Sequence, residues 1–418
     1  MNRNVDEVTA PLPELNPMNW PRRFATRTTQ MKRSTIRELL KLTAQPDMIS
    51  FAGGLPAPEL FPIAQVQAAT NTILNRHGAQ ALQYGETEGL AELRDWIARQ
   101  SSRPGLPLTR SNVGIVSGAQ QALDLIGRVL LNEGDKVIVE NPTYIALLSA
   151  WRPLGIEFLP APCDARGICV EDLEPLLRQR PKLLYTVPNF QNPQGTTLSA
   201  ERRARLVEML RQHDVGLVED DPYHELRYQG DSLPSLLELD ARLASPGGPE
   251  NNVIYVGTFS KVLAPGLRVG WVVAPEEVVD KLVQAKQASD LHTSTLSQHI
   301  IYELVRNHLL EEQIPLLRHA YRERRDAMLS ALEKHFPRGT TWTKPDGGMF
   351  LMVTLPTEIN ATDLLQRALQ QKVAFVPGEA FHLHGQGQNT LRLNFSNAAP
   401  DKIEAGIRRL GSLLDKPV

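Results

Sequence analysis

The stretch Val253-Ile-Tyr-Val-Gly-Thr-Phe-Ser-Lys261-Val-Leu-Ala-Pro-Gly-Leu-Arg268-Val-Gly-Trp-Val-Val-Ala-Pro275 decides how the whole chain is read. Two apolar, β-branched runs, Val253 to Val256 and Val269 to Val273, have the composition of buried strands. Between them lie Gly257, Thr258 and Ser260, then a single lysine, then Arg268. A lysine delivered from a strand end into apolar surroundings is desolvated, which lowers its pKa and exposes the neutral amine. Such an amine can condense with a carbonyl, and an arginine close by can hold a phosphate. Taken alone, the same residues fit a loop with two solvated cations equally well.

The chain on either side alternates strand and helix patterns. Val113-Gly-Ile-Val116 reads as a strand, Ser117-Gly118-Ala119-Gln120 as a small-residue loop, and Gln121 to Leu131 as a helix. A small-residue loop opening a helix offers unpaired N–H groups and a positive dipole end, the physical basis of a phosphate cup. Lys136 to Glu140 is a further strand, followed directly by Asn141-Pro-Thr-Tyr144. Leu183 to Val187 leads to Pro188-Asn-Phe-Gln-Asn192-Pro-Gln-Gly195, and Val215 to Glu219 leads to Asp220-Asp-Pro-Tyr223. A helix is expected from Ser199 to Gln212. This alternation implies a mainly parallel sheet with its chemistry at the strand C-terminal ends, where the polar residues named here all fall.

Toward the start, residues 1–33 lack periodicity and read as an arm. Ser34-Thr-Ile-Arg37-Glu-Leu-Leu-Lys-Leu reads as a short capped amphipathic helix, and residues 34–60 as a segment packing with a small domain. Gly53-Gly54 allows close backbone approach, and Tyr84 sits in a turn-rich loop, Leu82 to Gly89. Residues 61–319 form the large domain. A long helical pattern from Glu276 to Lys334, with breaks expected at Leu291–Ser294 and near Pro315, leads into a smaller α+β unit over 320–418.

Composition narrows the function. The chain has 418 residues, 42% hydrophobic and 22% charged, with a formal net charge of −2, so no overall field favours nucleic acid or an anionic membrane. Arg202-Arg203 and Arg322-Glu-Arg-Arg325 are expected on solvated helix faces. Two cysteines, Cys163 and Cys169, make neither a disulfide framework nor a metal cluster, and no secretory or membrane-spanning run is apparent. A cytoplasmic protein is expected. His382-Leu-His384 has no acidic or cysteine companion, so no metal site is expected.

A pyridine ring that works as an electron sink needs several partners at once, and the chain offers each. Lys261 supplies a covalent anchor, and Asp220 a carboxylate for the ring nitrogen. Asn192 and Tyr223 can bond the ring hydroxyl, and Tyr144 can stack on the ring. Gly118, Ala119, Gln120, Ser260 and Arg268 can clamp the phosphate. Singly, each has a plainer explanation as a cap, turn or core residue. Together they point to pyridoxal 5'-phosphate.

The ordered set Ser-Gly-Ala-Gln-Gln, Asn-Pro-Thr-Tyr, Pro-Asn-Phe-Gln-Asn-Pro-Gln-Gly, Glu-Asp-Asp-Pro-Tyr, Ser-Lys-Val-Leu-Ala-Pro-Gly-Leu-Arg and Leu-Arg-Leu-Asn-Phe resembles the class I/II aminotransferases of fold type I over residues 34–415. Ser-Phe-Ala-Gly-Gly-Leu-Pro-Ala-Pro-Glu is similar to the 2-aminoadipate aminotransferases of lysine biosynthesis, and to kynurenine/aminoadipate and multisubstrate enzymes. The resemblance implies an α/β fold with a seven-stranded-type sheet in the large domain. It also implies a ping-pong transfer between an amino acid and a 2-oxo acid such as 2-oxoglutarate. Lys261 would be the Schiff-base lysine and proton carrier, and Asp220 the ring-nitrogen partner. Arg392, with Asn192 and Gly54, would bind the substrate carboxylate. Tyr84 would reach the phosphate of a neighbouring subunit, making the active unit a homodimer. Ala119 departs from the serine common at its place. Arg37 is either a ligand for an acidic side chain or a solvated helix charge. A lyase or decarboxylase on the same frame, or a regulator that senses the cofactor, are the alternatives.

Overall fold

The computed structural model describes residues 19–31, 39, 47–243 and 252–414. Seven strands build the central sheet: β1 (Val113–Val116), β2 (Lys136–Asn141), β3 (Glu157–Asp164), β4 (Leu183–Thr186), β5 (Gly216–Asp220), β6 (Val253–Thr258) and β7 (Gly270–Val273). They lie in the order β1-β7-β6-β5-β4-β2-β3, and Gly167–Ile168 folds back on the end of β3 as a short antiparallel addition. All run parallel except β7, which is antiparallel to both neighbours. Every residue of β4 and β6 is buried, as continuous apolar strands covered on both faces require. Because the strands run in parallel, Asn141, Asp220 and Thr258 end on one side of the sheet, and the loops carrying Asn192, Tyr223 and Lys261 leave from that side.

Five helices of the large unit matter for the site: α1 (Ala119–Leu130), α2 (Ala200–Gln212), α3 (Glu276–Gln287), α4 (Thr295–Arg306) and α5 (Leu309–His335). The expected break at Leu291–Ser294 separates α3 from α4. The break expected at Pro315 falls instead at Asn307–His308, where His308 takes a left-handed φ of 62°. Pro315 sits inside α5 and forfeits one backbone hydrogen bond. Downstream, α5 buries Leu317, Tyr321, Met328 and Leu332, so its packing outweighs the lost bond.

The arginines expected on solvated faces correct the sequence reading. Arg202, Arg203, Arg324 and Arg325 are all buried; of the set, Arg322 alone is exposed. Arg203 donates to the carbonyls of Leu198, Pro234 and Pro188 and to Asn189 Oδ1, at 2.7–2.9 Å. Helix periodicity registers the charge of such residues, whereas burial depends on carbonyls from distant segments.

Beyond α5, which runs unbroken through residue 320, the chain forms a second sheet. Its strands β8 (Thr341–Trp342), β9 (Phe350–Thr354), β10 (Val376–Pro377) and β11 (Thr390–Asn394) are antiparallel in the order β8-β9-β11-β10. Ile49–Ser50 pairs in parallel with Val373–Ala374, and Phe51 packs into this unit's apolar core. The segment before residue 60 therefore joins the C-terminal unit. The arm up to Met31 contains two exposed single-turn helices, Trp20–Arg23 and Thr26–Gln30. The helix expected from Ser34, and Arg37 with it, lies outside the described residues save for the buried Leu39. Among the described residues, no helix is long and apolar enough to cross a membrane.

Candidate active site

The end of β6 turns at Phe259–Ser260 and carries Lys261 into a cleft between the two sheets. Its Nζ donates to the Gly54 carbonyl at 3.0 Å, so the close approach of Gly53-Gly54 brings the N-terminal segment onto the lysine. Burial, reinforced by the Arg392 and Arg268 cations, lowers the Lys261 pKa from 10.5 to about 8, while Asp220 pulls the other way. An amine in this state is partly neutral near physiological pH.

Asp220 ends β5 and is almost wholly buried, 3% exposed. Burial raises its carboxyl to about 7, although Tyr185 O–H donates to its Oδ2 at 2.7 Å. Its other oxygen, Oδ1, is buried with no partner. A buried orphan acceptor costs free energy unless something supplies a donor, and a protonated ring nitrogen is such a donor. Asp221, next along the chain, is turned to Asn189 Nδ2 at 3.0 Å and to His224 Nδ1 at 3.2 Å. Successive residues of a strand point to opposite faces, so only one of the pair can serve the cleft.

Arg392 projects from the middle of β11 and is 1% exposed. Its Nη1 donates to Asn192 Oδ1 at 2.7 Å and its Nη2 to the Ala52 carbonyl, while Nε is buried without a partner. The guanidinium lies 4.3 Å from the Phe350 ring centroid and 5.0 Å from that of Phe381. Burial lowers its pKa from 12.5 to about 10, which leaves it a cation with donors to spare. Asn192 also hydrogen-bonds Tyr223, whose hydroxyl is pushed far above 10 by burial. Tyr144, half-buried at the start of the helix Ile145–Trp151, is close enough to interact with Tyr223 and Arg392.

The cup lies at the start of α1. Gly118 precedes the helix with φ 84°, and a Cβ there would strike the Arg268 guanidinium. The N–H groups of Ala119 and Gln120 in the first turn have no intrahelical acceptor, whereas that of Gln121 donates to the Gly118 carbonyl at 3.0 Å. Arg268, itself at a left-handed φ of 55°, donates through Nη2 to the Ser117 carbonyl at 3.0 Å. Ser260 Oγ accepts from Thr258 Oγ1 at 3.0 Å. The Gln120 side chain turns away to the Ala146 carbonyl at 3.2 Å, so its part in the cup is its backbone N–H.

Thus Lys261, Asp220, Asn192, Tyr223, Tyr144, Gly54 and Arg392 converge, with Gly118, Ala119, Gln120, Ser260 and Arg268 at one side. Tyr84 is 78% exposed and packs edge-on against His292, centroids 5.8 Å apart, outside the cleft of its own chain. Two groups at the site escaped sequence reasoning. Tyr185, the donor to Asp220, hides in a wholly apolar-looking strand. Glu140 is buried at the end of β2, accepts from Thr186 Oγ1, the Val187 N–H and Gln191 Nε2, and is raised by burial to about 7. Its signal was a lone acid closing the run Lys136-Val-Ile-Val-Glu140. Elsewhere, Asp164, Cys169 and Glu171 converge beside the Gly167–Ile168 strand, but Arg202 donates to both carboxylates and takes the place a cation would need.

A doubly covered α/β sheet with a lysine at a strand end, an orphaned buried carboxylate oxygen and an anion cup at a helix start defines a pyridoxal-phosphate enzyme of fold type I. The sequence profile of the family "Aminotransferase class I and II" matches residues 47–410, and the chain belongs to that family. It is 45% identical over 404 residues to aromatic-amino-acid aminotransferase 1 of Thermococcus litoralis, covering 95% of each chain. It is 44% identical over 401 residues to 2-aminoadipate transaminase of Thermus thermophilus, covering 96% of this chain and 98% of that one. The crystal structure of LysN, alpha-aminoadipate aminotransferase from Thermus thermophilus, complexed with N-(5'-phosphopyridoxyl)-L-leucine, superposes with a TM-score of 0.88 at 43% identity, over 95% of this chain and 98% of that one. The enzyme is an aminotransferase, and its cofactor is pyridoxal phosphate.

Proposed function

We propose that this aminotransferase moves an amino group, by a ping-pong double displacement, between a 2-oxo acid and an amino acid of the 2-aminoadipate, aromatic or branched aliphatic type. Glutamate and 2-oxoglutarate serve as the shared pair. The observation that carries the proposal is the convergence of Arg392 and Lys261 in one buried cleft. When bound, pyridoxal phosphate supplies an aldehyde that takes up the amino group and a protonated ring that accepts the electron pair released at the substrate Cα.

The protein's own residues do the rest. Arg392 binds the substrate α-carboxylate through donors not already given to Asn192 and Ala52, and its desolvation sharpens that preference. Lys261 Nζ, poised near pKa 8, takes the proton from Cα and returns it two atoms away, to the carbon beyond the amino nitrogen, as a general base and acid of matched pKa must. Asp220 offers Oδ1 to the ring nitrogen and so keeps that nitrogen protonated. Asn192 and Tyr223 bond the ring hydroxyl, Tyr144 stacks on the ring, and Gly54 lines the substrate side. Gly118, Ala119, Gln120, Ser260 and Arg268 hold the phosphate. Tyr84, presented outward, completes the phosphate site of a second copy, so the active unit is a homodimer. The range of side chains accepted is drawn from the relatives, named for aminoadipate and for aromatic amino acids.

The test is half-reaction spectroscopy of the loaded enzyme with 2-aminoadipate, leucine, phenylalanine, kynurenine and glutamate. Each true donor converts the cofactor spectrum to that of its amino form and releases one equivalent of 2-oxo acid without an acceptor present. Release of carbon dioxide, or of product with the cofactor spectrum unchanged, would point to a decarboxylase or lyase instead.

A further inference from the structure

Behind the cup lies a buried lysine that none of the chemistry above uses. Lys286, in the last turn of α3, is 2% exposed, and its stem borders an apolar space lined by Gly114, Val116, Val272 and Leu282. Its Nζ donates to Asp290 Oδ1 at 2.7 Å and Oδ2 at 2.9 Å, and to Gln121 Oε1 at 2.7 Å. Gln121 Oε1 accepts a second bond, from the Ser117 N–H at 2.7 Å. Asp290 Oδ2 accepts from Ser117 Oγ at 2.9 Å, and Ser117 Oγ lies 3.2 Å from Thr293 Oγ1. The remaining polar group of Ser117, its carbonyl, accepts from Arg268. Every polar atom of Ser117, the residue before Gly118, is thus held, and two of the groups that hold it meet at one ammonium.

We propose that Lys286 is a positioning residue for the cofactor phosphate: through Gln121 and Asp290 it fixes Ser117, and with it the cup at Gly118. Two physical effects support this role. The first is geometric, because the N–H groups of the first turn of α1 serve an anion only if the turn at Ser117–Gly118 is held at one angle to the helix axis. The second is electrostatic. Asp290 stands close to the cup, and a carboxylate left unpaired there would repel a phosphate dianion; the buried Lys286 cation neutralises it at 2.7–2.9 Å. Lys286 touches neither cofactor nor substrate, so its effect is felt at the phosphate and not at the ring.

The proposal rests on the phosphate site assigned above, and the test separates the two. Dissociation constants are measured for pyridoxal phosphate and for pyridoxal, which lacks the phosphate, on full-length wild type, Lys286→Met and Gln121→Met stripped of cofactor. Thermal melts of the cofactor-free proteins report folding. Gln121→Met breaks the relay at a residue less buried than Lys286 and provides the result should Lys286→Met fail to fold. The expected result is a fivefold or greater loss of affinity for pyridoxal phosphate in each folded variant, with pyridoxal affinity changed less than twofold. Unchanged affinity for pyridoxal phosphate, or equal weakening of both compounds, overturns the positioning role. Equal affinity of wild type for the two compounds would instead sink the phosphate assignment itself.

Discussion

Replacing Asp220 with asparagine separates what the carboxylate costs the fold from what it gives the cofactor. Burial raises its pKa from 3.8 to about 7 in the cofactor-free protein. A shift of about three units, at about 1.4 kcal/mol per unit, sets an upper bound of about 4 kcal/mol on the cost of an ionised Asp220. Relaxation and water entry reduce this, and about 2 kcal/mol is the expected measured value. The sign follows from proton counting. Unfolded Asp220 releases its proton near pH 4 and folded Asp220 near 7, so the folded state binds the extra proton in between. Stability therefore falls as pH rises through that window and levels off above it. Asparagine cannot ionise, and its Oδ1 can still accept the Tyr185 bond. Without cofactor, Asp220→Asn should melt roughly 2–4 °C above wild type at pH 8, with a smaller gain at pH 5. With cofactor the order should reverse, because the ring nitrogen loses its anionic partner. Scanning calorimetry of both forms between pH 5 and 8 measures all four numbers. A variant no more stable than wild type at pH 8, or a gain that does not grow with pH, would refute the reasoning.

Three further outcomes follow from the same geometry. The rate at which the cofactor-free enzyme condenses with pyridoxal phosphate should rise with pH and flatten above about 8, where Lys261 becomes neutral; a rise continuing toward 10.5 would contradict the effect of burial there. Arg392→Gln should lower kcat/KM for every amino acid by about 2–3 kcal/mol, roughly 30- to 150-fold, with similar losses for acidic and apolar donors. A loss confined to acidic donors in steady-state assays would move Arg392 from the α-carboxylate to the side-chain end. Arg203→Met removes four hydrogen bonds, to the carbonyls of Leu198, Pro234 and Pro188 and to Asn189 Oδ1, of which the Pro188 carbonyl alone keeps another donor, the Leu198 N–H, so urea unfolding should show destabilisation on the order of 3 kcal/mol. A change under about 1 kcal/mol would return that residue to the solvated class its helix pattern suggested.

Much of the architecture was legible in the sequence because alternating apolar runs and small-residue turns are local signals. The strand-loop-helix at Val113–Leu130, the helix from Ser199 and the lysine between two β-branched runs each follow from spacing within a few tens of residues. The proline at 315 misled for the same reason, since its local cost is real but smaller than the burial of the helix beyond it. Whether an arginine on α2 or α5 faces water is equally non-local, because Arg203 is held by carbonyls of the connection before α2 and of Pro234, 31 residues away.

By itself, then, the sequence determined which chemical groups exist and in what order, and those suffice for the class of cofactor and the type of reaction. It supplied two adjacent acids, Asp220 and Asp221, and the resemblance chose the first. The structure supplies the physical ground for that choice: the strand's alternation and the sheet order turn Asp220 toward Lys261 and Asp221 toward Asn189 and His224. Only the tertiary structure joined Tyr185 to Asp220, Gly54 to Lys261, and Lys286 to Gln121. Each of these bonds spans tens to hundreds of residues, and a contact made by folding across such a separation leaves no periodicity along the chain.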